Sequence, residues 1–477
     1  MNLHPAAGAP TIDLSRARRL HVVGVGGPGM SAVAIVLAEM GHSVSGSDLR
    51  ERDVLERVRA AGVEVHVGHR REHVHGCDAI TWSTAIPERN VERDEAERQG
   101  ILSMHRAGML ASICAQADSI GVAGTHGKTS TSSMLMLMLS EAGLRPSFVI
   151  GGDVTDMGTG AQWTGGRWLV VEADESDGTH LALPLAATIL TNVEADHLEH
   201  YGSLAAVIDG FRDYLSKVEG PRVVCLDDPV CAMFAAESSL VPLVTYGTSP
   251  GADYRAVDVE MVAGTARFGV VHDGERIGEV ELPLRGLHNV RNATGALAMA
   301  LELGVPFAAA QRALAAFGGV ARRFDIRAVD DGVTFVDDYA HLPGEIAAVL
   351  TAARTSGDRW SRIVAVFQPN RYNRMAVMSP EYADAFVDAD EVVLTDIYPS
   401  GTAPLPGVTG KLVVNAVLDA HPTARVMWLP NRSDLVEQLA RRLRPGDVCI
   451  SMGCGDVETL PDEVVARRRA LREAGAR

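Results

Sequence analysis

The sequence predicts an α/β protein of three domains: a Rossmann-like domain over residues 1–116, a central parallel-sheet domain with a β-rich edge over 117–321, and a second Rossmann-like domain over 322–477. Three observations carry this expectation. Short apolar runs alternate with helix-length segments along the chain, the pattern of parallel sheets covered by helices. Glycine-rich turns follow the opening apolar run of the first two blocks, where a strand hands over to a helix. The 477 residues are 47% hydrophobic but only 5% aromatic. That composition suits layers rich in Ala, Val and Leu, and at about 150 residues per domain the length allows three cores.

The first block opens with RLHVVGVGGPGMSAVAIVLAEMGHSVSGSD, read as strand, glycine turn, helix and a second strand closing at Asp48. VEVHVG, DAITWSTAI and ILSMHRAGML continue the alternation. The second block begins near residue 118 and places strands in SIGVAG, SFVIGG, RWLVVEAD, AATILTNV and PRVVCLD. From about Asp253 to Pro283, around the turn His272-Asp273-Gly274, antiparallel strands are expected on one edge. After Arg322-Arg323-Phe324 come VTFVDDYA, RIVAVFQP, EVVLTDIYP, ARVMWLP and GDVCISMGCGD, expected as another parallel sheet. The tail VVARRRALREAGAR reads as a basic helix with a solvated face.

GVAGTHGKTSTSS, from Gly121, joins a buried strand to a helix N-terminus, which is an anion site by construction. Gly124 and Gly127 keep the backbone approachable, Lys128 brings a cation and Thr129 a hydroxyl suited to Mg²⁺. The candidate triphosphate loop therefore comprises Gly124, Thr125, His126, Gly127, Lys128, Thr129 and Ser130, and it makes the central domain P-loop ATPase-like. It is a shortened P-loop, with Val122 where the common form has its first glycine. The plain alternative is a glycine turn with a solvated lysine.

Gly24, Gly26 and Gly29 match G-x-G-x-x-G, and Asp48 closes the next strand at the distance expected for a carboxylate that meets a ribose hydroxyl. The motif encodes a diphosphate on a helix N-terminus plus a sugar contact, so a nicotinamide dinucleotide, a UDP-sugar or an empty tight turn all satisfy it. The second loop at Lys128 favours the UDP-sugar, because a dehydrogenase has no use for it. Glu172 and Asp174 end one strand of the central block, and Asn192, Glu194, Asp196 and His197 end another. In an open parallel sheet those ends share a crevice with the phosphate loop. Carboxylates there could hold Mg²⁺ beside a triphosphate, and His197 could ligate metal or contact the γ-phosphate.

The formal net charge of −17 disfavours general attraction to nucleic acid or to anionic membranes, leaving small-molecule partners. Six dispersed cysteines without a C-x-x-C pair fit reduced thiols of the cytoplasm. MNLHPAAGAPTIDLSRARRL lacks the apolar core of a signal peptide, and no apolar run approaches the ~20 residues of a membrane span.

In these residues the chain resembles the ATP-dependent Mur ligases of peptidoglycan synthesis. The matching segments keep their order over most of the chain: VGVGGPGMSAVA and GSDL, STAIPERN, HRAGML, GTHGKTS, VVEADESD, TNVEADHLEHY, LRGLHNVRNATGA, RRFD, VDDYAHLP, FQPNRYNR, IYPSGTAPLPGVTG and MGCGD. The resemblance implies ATP-dependent joining of an amino acid, L-alanine in the branch matched best, to the lactyl carboxylate of UDP-N-acetylmuramate through an acyl phosphate. It implies ATP and Mg²⁺ as cofactors, and a monomer or weak homodimer. By this resemblance Gly26, Gly27, Gly29, Met30, Ser47, Asp48, Ser83, Thr84 and Arg106 would meet the UDP-sugar. Lys128, Glu172 and His197 would be catalytic, with Thr129, Glu172 and His197 around the metal. His288, Asn289, Asn292, Arg323 and Asp338 would contact the ATP nucleotide, and Tyr339, His341, Arg371 and Arg374 the amino acid. The third domain would close over the other two.

Two departures bear on this transfer. After His341 the family's second histidine is Leu342, and Gly344 replaces a hydroxyl residue, which bears on the choice of amino acid. Where sister ligases carry a carbamylated lysine this chain has Arg212, with Lys217 off register, so an unmodified site is expected. The competing readings are a recycling ligase that attaches a peptide to the same UDP-sugar, an NAD(P)-dependent oxidoreductase built on Gly24 to Asp48, and a non-catalytic nucleotide-binding regulator.

Overall fold

A computed structural model describes residues 9–196 and 201–475 and contains three β-sheets. The first is formed by β1 (Arg19–Val23), β2 (Ser43–Asp48), β3 (Glu64–Val67), β4 (Ala79–Trp82) and β5 (Leu102–His105) in the order β3-β2-β1-β4-β5. All its pairings are parallel. Leu20, Val22 and Val23 of β1 are buried, as a central strand covered on both faces requires. The strand order reverses between β1 and β4, so the turn after β1 and the loop after β4 flank the crevice where such a sheet takes its ligands.

The second sheet has ten strands. They are β6 (Asp118–Ala123), β7 (Ser147–Val154), β8 (Thr159–Gln162), β9 (Trp168–Glu172), β10 (Ala187–Leu190), β11 (Arg222–Cys225), β12 (Val244–Gly247), β13 (Tyr254–Val262), β14 (Thr265–His272) and β15 (Glu275–Leu282). Their order is β15-β14-β13-β12-β11-β10-β6-β9-β7-β8. From β13 through β12, β11, β10, β6 and β9 to β7 the pairing is parallel, and β8 runs antiparallel to β7. Two-residue turns at Ala263-Gly264 and Asp273-Gly274 join β13, β14 and β15, and turns so short make hairpins. This is the antiparallel edge expected from the sequence. Strands β8 and β12 were not marked by any apolar run, and β8 adds a further antiparallel strand at the opposite edge. β6 lies between β9 and β10, so the loop leaving it meets the ends of both neighbours. The helix Lys128–Glu141 then buries Met134, Leu135, Met138 and Leu139, and the helix Phe307–Ala315 packs on it.

The third sheet orders β16 (Asp325–Asp330), β17 (Val333–Asp338), β18 (Arg362–Phe367), β19 (Glu391–Leu394), β20 (Val426–Trp428) and β21 (Asp447–Met452) as β16-β17-β21-β18-β19-β20. Only β16 is antiparallel to its neighbour, a strand the sequence pattern did not mark. The terminal helix Leu460–Gly475 keeps only part of its basic face in solvent. Its Arg468 is only 5% exposed, and Arg468, Arg469 and Arg472 all converge on Asp330. Arg468 is therefore spent inside on a buried carboxylate of β16, while Arg469 and Arg472 reach the same carboxylate from the exposed face.

The chain forms two compact units: 1–259 with 268–282 and 289–318, and 319–477 with 260–267 and 283–288. The first sheet belongs to the first unit, as does the second apart from residues 260–267 at the turn between β13 and β14. None of the described helices is long and apolar enough to cross a membrane.

Candidate active site

In the first unit the backbone of GTHGKT is fixed by the residues that follow β10. Asn192 accepts from Thr125 N through its carbonyl (3.0 Å) and from His126 N through Oδ1 (2.9 Å), and donates from Nδ2 to the His126 carbonyl (3.0 Å). Thr191 Oγ1 donates to the same carbonyl at 2.6 Å, and Glu194 N to Thr125 Oγ1 at 2.9 Å. Gly124 and Gly127 have φ of +125° and +82°, where a Cβ is strained. A Cβ on Gly127 would stand 2.5 Å from Asn292 Oδ1, so this carboxamide, from the helix Leu287–Glu302, lies against the loop. Asn292 Nδ2 donates in turn to Asn289 Oδ1 at 3.4 Å.

Lys128 opens the helix that follows the loop. Its ammonium donates to the carbonyls of Gly124 (2.5 Å) and Thr125 (3.3 Å) and to both oxygens of Glu175 (3.1 and 2.9 Å). Burial opposes the charge, but Glu175 and then Asp174 outweigh it and raise the Lys128 pKa. Thr129 and Ser130 are buried in the first helical turn. Glu172 ends β9 and accepts from Gly151 N at 2.8 Å. Glu172 and Thr129 offer hard oxygen donors beside the loop, the donor chemistry Mg²⁺ takes. His197 lies outside the described residues.

Arg106 reaches this crevice from the first sheet, at the start of the helix Arg106–Cys114. Its Nη2 contacts Asp174 Oδ2 at 2.6 Å and its Nε contacts Asp177 Oδ2 at 2.9 Å, while a Cβ on Gly29 would come within 3.1 Å of its Nη1. Burial works against the guanidinium, and Asp174 and Asp177 more than compensate, so its pKa rises. Burial also works against the Asp174 carboxylate, which Arg106 and then Lys128 hold well below the usual range. Glu175 and Asp177 were not singled out from the sequence. The signal available was the acidic run ESD directly after EAD.

At the glycine turn Gly24 N and Val25 N donate to the Ser47 carbonyl at 2.8 and 2.9 Å, and Gly26 N donates to Asp48 Oδ2 at 2.9 Å. Gly27 caps the next helix and Met30 is buried within it. The Ser47 hydroxyl donates to Glu92 Oε2 at 2.7 Å, so this residue offers the turn its carbonyl. Ser83 and Thr84 follow β4 in the turn that Ile86 N closes onto the Ser83 carbonyl at 2.9 Å.

The second unit gathers its own set at the carboxyl ends of β17, β18 and β21. Asp338 accepts from Phe324 N and Ala340 N, both at 2.7 Å. Burial pushes its pKa from 3.8 to about 6 against the pull of Arg323. Arg322 and Arg323 stand over the Tyr339 ring at 5.1 and 5.2 Å, and Tyr339 meets His341 edge-on at 5.4 Å. His341 N donates to Glu345 Oε2 at 2.8 Å. Arg371 has φ +61° and donates its N–H to the Tyr398 carbonyl at 2.9 Å, while buried Arg374 contacts Asn370 Oδ1 at 3.2 Å. His288 also belongs to this unit and is half-buried beside Gly286. The two positions that bear on carbamylation are otherwise engaged: Arg212 pairs with Glu237 at 3.0 Å and Lys217 Nζ donates to the Leu181 carbonyl at 2.9 Å.

A glycine-turn sheet, a P-loop sheet and a third α/β sheet in this order define the architecture of a Mur ligase. Family models agree along the chain: the Mur ligase family catalytic domain matches residues 19–118, the Mur ligase middle domain 122–300 and the Mur ligase glutamate ligase domain 322–455. The chain belongs to the Mur ligase family. It is 41% identical over 463 residues to the UDP-N-acetylmuramate–L-alanine ligase of Geobacter sp. (strain M21), covering 96% of this chain and 99% of that one. It is 43% identical over 465 residues to the enzyme of the same name from Acidothermus cellulolyticus, covering 96% and 97%. The crystal structure of the UDP-N-acetylmuramate–alanine ligase from Thermotoga maritima superposes with a TM-score of 0.81 at 27% identity, covering 95% of this chain and all of that one.

Proposed function

We propose that this chain is an ATP-dependent ligase that joins L-alanine to the lactyl carboxylate of UDP-N-acetylmuramate, releasing ADP and phosphate. The relatives carry that name over nearly their full length. The single observation that best supports the chemistry is the double engagement of Arg106, beside Gly29 of the glycine turn and paired with Asp174 and Asp177 next to Lys128. A UDP-sugar on the glycine turn and a triphosphate on GTHGKT would then share one crevice.

A carboxylate is a poor electrophile at neutral pH, so its oxygen must first become a leaving group. In this reading its attack on the γ-phosphorus of ATP forms an acyl phosphate and releases ADP. The amine of alanine then attacks the carbonyl carbon and displaces phosphate. Lys128 stabilises charge on the transferring phosphoryl group, and the loop N–H groups orient the triphosphate. Mg²⁺ held by Glu172 and Thr129 would supply further charge neutralisation. Asn289 and Asn292 flank the nucleotide, with His288, Arg323 and Asp338 as further contacts. Tyr339, His341, Arg371 and Arg374 take the amino acid, the two guanidinium groups suiting its carboxylate. Asp48 takes the ribose of the UDP-sugar. The cytoplasm is where these soluble substrates meet.

Phosphate release measured with ATP, Mg²⁺, UDP-N-acetylmuramate and a panel of amino acids tests the proposal. Turnover that requires both the UDP-sugar and L-alanine supports it. Turnover with a tripeptide alone favours the recycling ligase, and tight NAD(P) binding without ATP turnover favours an oxidoreductase.

A further inference from the structure

Behind the glycine turn the first sheet carries a second polar cluster that the ligase chemistry does not use. His21 of β1 and Glu92 of the helix Val91–Gln99 are both 0% exposed, and His73 of the short turn Arg71–Val74 is nearly as enclosed. One ligand atom from each of these three residues lies within 4.8 Å of the other two. His73 Nδ1 is 2.7 Å and His21 Nε2 3.6 Å from Glu92 Oε1. Among the described residues His21 Nε2 has no hydrogen-bond partner, although it is fully buried and faces the carboxylate. Its other nitrogen, Nδ1, lies 2.8 Å from Ser45 Oγ. A proton held there leaves the Nε2 lone pair directed into the cluster.

We propose that His21, His73 and Glu92 form a binding site for a divalent transition-metal cation of zinc type. Two imidazole nitrogens and a carboxylate oxygen are the borderline donor set that zinc takes, and one anionic and two neutral ligands offset the charge of a buried dication. The surroundings hold the ligands as a metal site requires. Glu92 Oε2 accepts from Ser47 Oγ and stands 2.7 Å from His69 Nδ1, and the His73 ring stacks on His66 with centroids 4.0 Å apart. Zinc replaces the proton shared by His73 Nδ1 and Glu92 Oε1, which separate from 2.7 Å to the ~3.3 Å of two ligands on one tetrahedral ion. The bound ion ties β1, the Arg71–Val74 turn and the Val91–Gln99 helix together at the back of the glycine turn.

The full-length protein, stripped with a chelator and desalted, is equilibrated with zinc in saturating Mg²⁺, which occupies sites of hard oxygen donors. Retention of about one zinc per chain by elemental analysis is expected, as are visible absorption bands of four-coordinate cobalt when Co²⁺ replaces zinc. His73→Asn should weaken zinc affinity at least about tenfold and remove the cobalt bands. Its far-ultraviolet circular dichroism and its alanine-dependent phosphate release should match the wild type. Glu92→Gln provides a second loss of ligand should His73→Asn fold poorly. Wild-type protein that retains no zinc under these conditions, or variants that retain as much as wild type, would overturn the site and leave a hydrogen-bonded histidine–glutamate network.

Discussion

Lys128 Nζ stands 2.9 Å from Glu175 Oε2, so the cation of the phosphate loop is held by a carboxylate three residues beyond the end of β9. The same ammonium donates to the carbonyls of Gly124 and Thr125, which tethers it to the loop it serves. Both side chains are largely enclosed, at 16% and 5% exposed, where a charge without a counter-charge is costly. Glu175 is thus the natural anchor of Lys128.

Lys128→Ala should lower kcat for phosphate release by about 10²–10³-fold or more, the range for loss of one preorganised electrostatic contact. Binding of UDP-N-acetylmuramate, followed by calorimetry, should change little. Glu175→Gln keeps the shape but removes the anion, and should give a smaller fall in kcat together with a destabilisation of about 1–3 kcal/mol in urea denaturation. Unchanged turnover in Lys128→Ala would remove the loop from the chemistry.

Removing Arg106 takes the paired guanidinium from two carboxylates, Asp174 and Asp177. Asp177 is buried, but the Asp174 side chain keeps 32% exposure, so Arg106→Ala should cost about 2–3 kcal/mol, less than a fully buried pair. Arg106→Lys should recover only part of this, because one ammonium cannot reproduce the fork that reaches Asp174 and Asp177 separately. KM for the UDP-sugar should rise in both variants. An effect confined to KM for alanine would contradict the assignment.

Gly127→Ala tests the loop through its backbone. The new Cβ meets Asn292 Oδ1 at 2.5 Å and sits at φ +82°, so the loop must deform. A cost of about 1–2 kcal/mol is expected, with KM for ATP raised and circular dichroism preserved. Asn292→Ala combined with Gly127→Ala should recover part of the ATP affinity by relieving the clash, and no recovery would mean that φ alone sets the strain.

Much of this site was legible because its signals are local. GTHGKT, the turn from Gly24 to Gly29 and the acidic strand ends each encode strand, turn and helix within a short window, and β1, β6, β9 and β10 emerged where they were expected. The missing parts are long-range pairings with no period to betray them. Arg106 finds Asp174 and Asp177 across separations of 68 and 71 residues, and Asp330 collects arginines from 138 to 142 residues away. β16 went unmarked because it is an edge strand: Ile326, Arg327 and Val329 face outward or only partly inward, so DIRAVD has no continuous buried run. Leu342 caps the helix Pro343–Thr355 and Gly344 lies in its first turn, which Glu345 closes onto the N–H groups of His341 and Leu342.

Asp338 supplies a test by pH. Burial raises its folded-state pKa from 3.8 to about 6, so between those values the folded chain keeps a proton that the unfolded chain has released. Where the folded state binds more protons, stability falls as pH rises. The contribution of Asp338 is therefore absent as a penalty below about pH 4, grows through pH 4–6 and is complete above about pH 6, reaching on the order of 2–3 kcal/mol. Carboxylates with lowered pKa, such as Asp174, slope the other way over a more acidic range, so the total curve does not isolate this residue. The difference between wild type and Asp338→Asn does. Asparagine cannot ionise, and it loses one acceptor for Phe324 N or Ala340 N at every pH. The variant should therefore be less stable than wild type at pH 4, and the gap should narrow by about 2–3 kcal/mol by pH 7 in urea denaturation of the full chain. A gap that stays constant across this window would show that Asp338 titrates at its ordinary value in the fold.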